Sequence, residues 1–288
     1  MELKKPLPPN RSLKDLENHY LVEKRIAEKI KKSNPEERKK IYATMYDDLF
    51  RQVPDHPRLA RREDELETIC VNKEKYNLIK KYISKSTAFV EFAPGDCKFA
   101  SELANHVKYI YGVDISDQRN LKQQFPSNFK LIIYDGYSLE GIKKNSIDVV
   151  FSDQLIEHIH PDETKSHFQL VHHILSKGGM YIFRMPHALS GPHDISGYFC
   201  DEPEGFHLKE WTYTELVKML DGEFNAQKLI PFWSIKGISF RMSLSYFETC
   251  EKILGFLPKR YTRKISKLFI PNITCIYVKV DCEAGAPR

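Results

Sequence analysis

Residues Ala88–Ala100 read AFVEFAPGDCKFA. The opening A-F-V-E-F has the length and composition of a buried strand. Pro94 and Gly95 break the run, and Asp96 is placed to cap a helix that follows. The turn is close to a glycine-rich loop. Gly95 holds the middle position, and Ala93 and Cys97 stand where glycines are expected at the two ends.

Outward from this stretch, short apolar runs recur as YIYGVD, FKLIIYD, IDVVFSD and GMYIFRM. Most are separated by segments with helical spacing. The alternation predicts an α/β fold: a mainly parallel sheet with helices on both faces. FNAQKLIPFW and ITCIYVKVD predict a closing pair of strands, with an insertion at about 232–270. Residues 187–211 have no clear period and read as a long functional loop. Residues 1–85 read as a helical N-terminal extension and 86–288 as the main domain. One helix is expected over Ser12–Lys32. A second starts at Asn34-Pro35 and stops before VPDHP, and a third runs from about Arg62 to Ile83.

Composition narrows the class. The chain has 288 residues, 41% of them hydrophobic and 29% charged. No apolar run approaches the roughly 20 residues that span a bilayer. MELKKPLPPNRS has no apolar signal core, so a cytoplasmic location is expected. The six scattered cysteines read as free thiols. A net charge of +5 is too small to argue for nucleic acid, and DNA is not an expected partner. The charge is uneven, with six Lys or Arg and no acid from Lys252 to Lys267. That segment suits an anionic membrane or a lipid-linked substrate. It equally suits a solvated helix face backed by a core stripe.

In open α/β sheets, ligands bind beyond the carboxyl ends of the strands. Here those ends carry Ala93-Pro94-Gly95-Asp96, then Asp114-Ile115, Asp135-Gly136, Asp153-Gln154 with Glu157-His158, and Pro186-His187. Asp114 alone would pass for a strand-end turn residue, and Asp135-Gly136 for a turn. Acids at the ends of three successive strands are a pattern. E-F-A-P-G-D-C, V-D-I-S, Y-D-G, S-I-D-V-V-F-S-D-Q-L-I-E-H-I and L-S-K-G-G-M-Y-I follow in order over Ala88–Met185, about a third of the chain. Together they resemble the class I, Rossmann-like S-adenosylmethionine-dependent methyltransferases.

The resemblance implies a sixth strand and an antiparallel last strand. It implies S-adenosylmethionine as cofactor, with Glu91, Ala93 and Gly95 in the glycine motif. Asp114 would hold the ribose hydroxyls and Ile115 would pack on adenine. Asp135, beside Gly136, would meet the adenine amino group, and Asp153 and Gln154 would line the methionine end.

On the acceptor side, S-D-Q-L replaces the Asn/Asp-Pro-Pro-Tyr of relatives that methylate amino groups of bases, which disfavours that chemistry. His158, His187 and His193 are the candidate bases, and an unperturbed histidine base would place a pH–rate inflection near about 6.5. The I-E-H-I of His158 resembles ubiquinone-pathway O-methyltransferases, some of which use a divalent metal. Gln154 stands where a further carboxylate would be wanted, so no metal is expected. VPDHP, GPHD and GFHLKEW resemble bacterial methyltransferases associated with glycan or glycolipid assembly. They imply O-methylation of a sugar or small-molecule hydroxyl, with the N-terminal helices as a lid or merely as cover for apolar surface. The alternatives are an RNA or protein methyltransferase and a catalytically silent methyltransferase-like binding module. A nicotinamide dehydrogenase lacks its GxGxxG here. The oligomeric state is open.

Overall fold

The computed structural model describes residues 1–120, 123–220, 228–235 and 238–280. Eight strands form one mixed sheet. They are β1 (Ala88–Phe92), β2 (Tyr109–Asp114), β3 (Phe129–Ile133), β4 (Ile147–Asp153), β5 (Leu175–Pro186), β6 (Lys228–Ile235), β7 (Ile238–Arg241) and β8 (Asn272–Val278). Their order is β3-β2-β1-β4-β5-β8-β6-β7. Strands β1 to β5 pair in parallel, and β8 runs antiparallel between β5 and β6. The expected α/β sheet with an antiparallel C-terminal strand is therefore present. The order reverses at β1 and β4, which opens a crevice at their carboxyl ends.

Alternation along the strands sends side chains to two cores. Val90, Phe92, Val150 and Phe183 meet Phe168, Val171 and Ile174 of α6 (Pro161–Ile174), Leu216 of α7 (Tyr213–Leu220) and Phe247 of α8 (Leu244–Gly255). Phe89, Phe151 and Ile182 meet Leu78 and Ile79 of α4 (Glu65–Ile79), and Phe99 and Leu103 of α5 (Lys98–Leu103). Each such fully buried side chain contributes about 1.5–3 kcal/mol.

The N-terminal helices begin where the sequence says. Ser12 and Asp15 form a capping box on α1 (Leu13–Lys32), and Asn34 and Glu37 form one on α2 (Pro35–Gln52). Val22, Ile26 and Ile30 of α1 pack on Ile41, Met45 and Leu49 of α2. Phe206 and Leu208 of the long loop join the same cluster, which places the helix pair at the carboxyl edge of the sheet.

Three expectations are corrected. The third helix is two: α3 (Pro57–Glu63) and α4. Asp64 leaves helical geometry between them and accepts the Glu67 N–H, and a strong capping residue ends one helix by starting another. No helix forms between β2 and β3 or between β3 and β4 among the described residues. Strand β5 begins at Leu175, directly after α6, with an irregular register near Ile147–Val149 and Gly178 at φ +73°.

The insertion at about 232–270 holds the end of β6, the edge strand β7, α8 and α9 (Lys259–Phe269). Cys70, Cys97, Cys200, Cys250 and Cys275 are free, while Cys282 and the expected strand residues 224–227 lie outside the described residues. No described helix is long and apolar enough to cross a membrane.

Candidate active site

The loop after β1 is built on left-handed backbone. Ala93, Gly95 and Cys97 have φ of +53°, +59° and +61°. A non-glycine residue there costs roughly 1–2 kcal/mol, which explains why glycines are expected. Space is not the reason at Gly95, because an added Cβ would meet nothing within 4 Å. The loop is closed by Ala93 N–H on the Val113 carbonyl (2.8 Å) and Cys97 N–H on the Pro94 carbonyl (3.1 Å). Cys97 is the capping position of α5 without a side-chain bond; Asp96, one residue earlier, accepts the Lys98 N–H at 3.2 Å.

Asp114 ties this loop to β2. Its Oδ2 accepts the Gly95 N–H (3.2 Å), and its Oδ1 accepts the N–H groups of Ile115 (2.8 Å) and Ser116 (3.4 Å). Burial raises its pKa, against these three donors.

Two hollows meet at Asp114. One, of about 400 Å³, is lined by Pro94, Gly95, Asp96, Asp153 and Gln154, and faces Arg58 and Arg62 of α3 and Asn72 and Lys75 of α4. The other, of about 70 Å³, is lined by Val113, Ile115, Tyr134 and Gly136, with Tyr42, Met45 and Tyr46 of α2. Gly136 is at φ +88°, and a Cβ there would come within 3.1 Å of Tyr42.

Glu91 lies behind the loop, 1% exposed, and lines neither hollow. It holds Lys75, whose Nζ is 3.1 Å from its Oε1. Asp153 takes both arms of Arg184, each at 2.7 Å. Burial would raise the Asp153 pKa, but Arg184 outweighs it and the carboxyl is held below its usual value. Asp135 is not brought to the cleft. It accepts the N–H groups of Tyr137 (2.9 Å) and Ser138 (2.7 Å) and pairs with Lys39 of α2 (3.3 Å), so it is a turn residue facing outward.

A third hollow, of about 330 Å³, adjoins the first. It shares Tyr46, His56, Arg58, Gln154 and His158 with it and adds His19, Glu23, His193, Asp194 and His207. Nδ1 of His158 is 2.8 Å from the Phe206 carbonyl. A carbonyl only accepts, so the proton sits on Nδ1 and Nε2 keeps its lone pair. Burial, aided by His207 and Arg58, lowers the His158 pKa to about 3. His193 reaches Glu210 (3.1 Å) and Ser190 (3.0 Å). Glu210 also accepts from His207 at 2.7 Å, and despite its burial these two histidines lower its pKa to about 2. His187 is removed from this group. It is fully buried, bonds Glu251 at 2.8 Å and lines none of the three hollows.

Residues 90–183 match the family described as "Methyltransferase domain". The matched segment, about a third of the chain, runs from β1 into β5 and includes the loop after β1, Asp114 and Asp153. The fold is similar to Haemonchus contortus phosphoethanolamine N-methyltransferase 1, solved with phosphoethanolamine and S-adenosylhomocysteine. The identity is 13% and the TM-score 0.53, over 89% of this chain and 52% of that one, so the chain spans about half its length. It is also similar to the methyltransferase bound to the Haloferax volcanii activator Trm112, at 11% identity and TM-score 0.50, over 75% of this chain and 95% of that one. No curated protein matches the sequence.

Two clusters among the described residues have the donor types of a metal site. In His19–Glu23–His56 the carboxylate is already satisfied. Glu23 accepts from His19 (2.8 Å) and the Phe206 N–H (3.1 Å), with His56 at 3.6 Å. Arg11 donates to Nδ1 of His19 (2.9 Å), and the Arg58 N–H to Nδ1 of His56 (3.1 Å), so each neutral ring has its proton on Nε2, facing Glu23, where a cation would need a lone pair.

Glu157–His158–His207 differs. One donor atom from each lies within 4.8 Å of the others, and both Glu157 oxygens are buried without a partner. Each histidine is oriented through Nδ1, by Phe206 and Glu210, as metal-ligating histidines are. These residues fit a divalent cation, and the third donor is His207 rather than the Gln154 position. Sequence reasoning placed Glu157 at the end of β4 without giving it a role, and missed Glu23, Arg58 and Glu210 as site residues. Only the three-residue spacing of His207 and Glu210 carried a local signal.

Proposed function

We propose that this protein transfers the methyl group of S-adenosylmethionine to an oxygen of a polar small molecule or glycan, with His158 taking the acceptor's proton. In this reading residues 86–288 are the catalytic domain and residues 1–85 a lid over its carboxyl edge. Asp114 meets the ribose, Ile115 packs on adenine, and Gly95 and Gln154 flank the methionine end. The observation that supports it is the place of His158, on the wall shared by the cofactor cleft and the third hollow, with its Nε2 lone pair unprotonated.

Methyl transfer is an in-line displacement. The acceptor oxygen bonds the methyl carbon, the carbon–sulfur bond breaks, and the sulfur keeps the electron pair as neutral S-adenosylhomocysteine. The oxygen's proton passes to Nε2. A sulfonium is consumed as an imidazolium forms, so the cleft's net charge does not change. This offsets the low resting pKa of His158, because the cation it becomes replaces the one that left. Were Glu157, His158 and His207 to hold a divalent cation, it would polarise an acceptor oxygen and occupy Nε2 of His158, so the base role belongs to the cation-free site.

The lining favours a neutral or anionic acceptor over an ammonium. Glu23, Asp194 and Glu210 are occupied by histidines and backbone N–H groups. Arg58 stacks on Tyr46 at 5.1 Å and forms no ion pair among the described residues. The phosphoethanolamine of the Haemonchus contortus structure offers an amine, but that likeness concerns the fold.

The test is incubation with methyl-labelled cofactor and a panel of sugars, phenols and amines, with the product bond assigned by mass spectrometry. An O-methyl product lost in His158→Ala is expected. A product methylated only on nitrogen would overturn the reading.

A further inference from the structure

Helix α9 is turned inside out. Its inward positions are Thr262 and Ser266, at 5% and 0% exposure, while Tyr261, Leu268 and Phe269 stand 47%, 63% and 44% exposed. The two hydroxyls are what dock it. Thr262 donates to the Leu254 carbonyl (2.9 Å) and Ser266 to that of Leu189 (3.2 Å). The core stripe that the sequence allowed is therefore absent, and the large apolar side chains face out. The end of α8 and the following turn extend the surface, with Ile253 at 61% and Phe256 at 89%. Single exposed apolar residues need no explanation, but several on one short helix and the turn before it do.

The same segment carries six cations. Lys259 and Arg263 are bound to Glu202 and Asp201 of the acceptor-side loop. Lys252, Arg260, Lys264 and Lys267 form no ion pair among the described residues.

We propose that the α8–α9 surface docks the protein on an anionic lipid bilayer. Phe256, Leu268 and Phe269 enter the boundary between headgroups and acyl chains, and the unpaired cations meet lipid phosphates. A nucleic acid would use the cations and leave the phenylalanines in water. A second copy of the chain would bring the same cations against themselves. Through Glu202 and Asp201 the docked helix is joined to the loop whose Asp194 and Tyr198 line the third hollow, so that loop is held near the bilayer.

The experiment is flotation of the full chain with vesicles of phosphatidylcholine alone or mixed with phosphatidylglycerol, at low and high salt. Binding is expected on the mixed vesicles, weakened by salt. It should fall roughly tenfold or more in Phe256→Glu/Leu268→Glu and in Lys264→Glu/Lys267→Glu. These positions are on the surface, and thermal unfolding confirms that the variants fold. No binding to mixed vesicles at low salt overturns the proposal. So does binding that Phe256→Glu/Leu268→Glu leaves unchanged, which would be simple adsorption. Self-association without lipid that this variant abolishes would assign the surface to a second copy instead. Methyl transfer is not part of the readout, so the result stands apart from the acceptor.

Discussion

The backbone N–H of Gly95 bonds Oδ2 of Asp114 at 3.2 Å, so the loop after the first strand and the acid after the second are one mechanical unit. Losing the acid removes the clamp on the loop together with the oxygens proposed to meet the ribose. Asp114→Ala is expected to weaken S-adenosylhomocysteine binding about tenfold or more, as measured by calorimetry. Unchanged affinity would remove Asp114 from the cofactor site.

The left-handed loop residues give opposite expectations for two small changes. Ala93→Gly relieves roughly 1–2 kcal/mol of backbone cost but adds freedom to the unfolded chain, for a net gain of about 0.5–1 kcal/mol. Gly95→Ala meets no steric obstacle and incurs the same backbone cost, offset by reduced freedom in the unfolded chain, for a net loss of about 0.5–1 kcal/mol. Denaturant unfolding of both variants tests this; a destabilised Ala93→Gly would show that the left-handed backbone is not what the position demands.

The three histidine candidates separate by kind of damage. His158→Ala should lower kcat roughly 10²–10⁴-fold with little change in stability. His187→Ala should take one donor from the buried Glu251, which keeps the Tyr213 and Thr214 N–H groups and the Thr214 hydroxyl, cost about 1–3 kcal/mol, and spare kcat in the protein that folds. Steady-state kinetics beside thermal unfolding distinguishes them, and equal loss of kcat in both would refute the division.

Titration adds a pH signature. Burial, opposed by His207, pushes Glu157 up to about 7. His207, despite its burial, is pushed up to about 9 by Glu210 and Glu157. Both groups hold protons more tightly folded than unfolded, so each contributes stability at low pH that is lost as pH rises. For Glu157 the loss runs from about 4.5 to 7, and for His207 from about 6.5 to 9. Chemical denaturation from about pH 7 to 9 should show the His207 decline; below about 6.5 the buried neutral His158 and His167 raise stability with pH, so the Glu157 part is read as the difference between wild type and Glu157→Gln. Because His158 is held near 3, no inflection near pH 6.5 is expected from it in the free enzyme. A metal-free protein whose stability rises from about pH 7 to 9 would contradict the assignment.

The sheet was legible because burial on two faces writes itself as short apolar runs, and the capping boxes of α1 and α2 because they are local. Asp135 misled because a turn acid and a ligand acid look alike in sequence; only Lys39 and the Tyr137 and Ser138 N–H groups reveal which it is. His187 misled in the same way, since Glu251 lies 64 residues on. The third hollow was the least legible part. Glu23 and the Phe206 N–H it binds are 183 residues apart, and no spacing rule spans that distance.

Because α2 supplies Tyr42, Met45 and Tyr46 to the hollow beside Ile115, and α1 supplies His19 and Glu23 to the one beside His158, the chamber is written in two distant stretches of chain. A chimera that exchanged only residues 187–211 would carry half a pocket. Acceptor preference should travel between enzymes of this architecture only when the first two helices and the long loop are transplanted together.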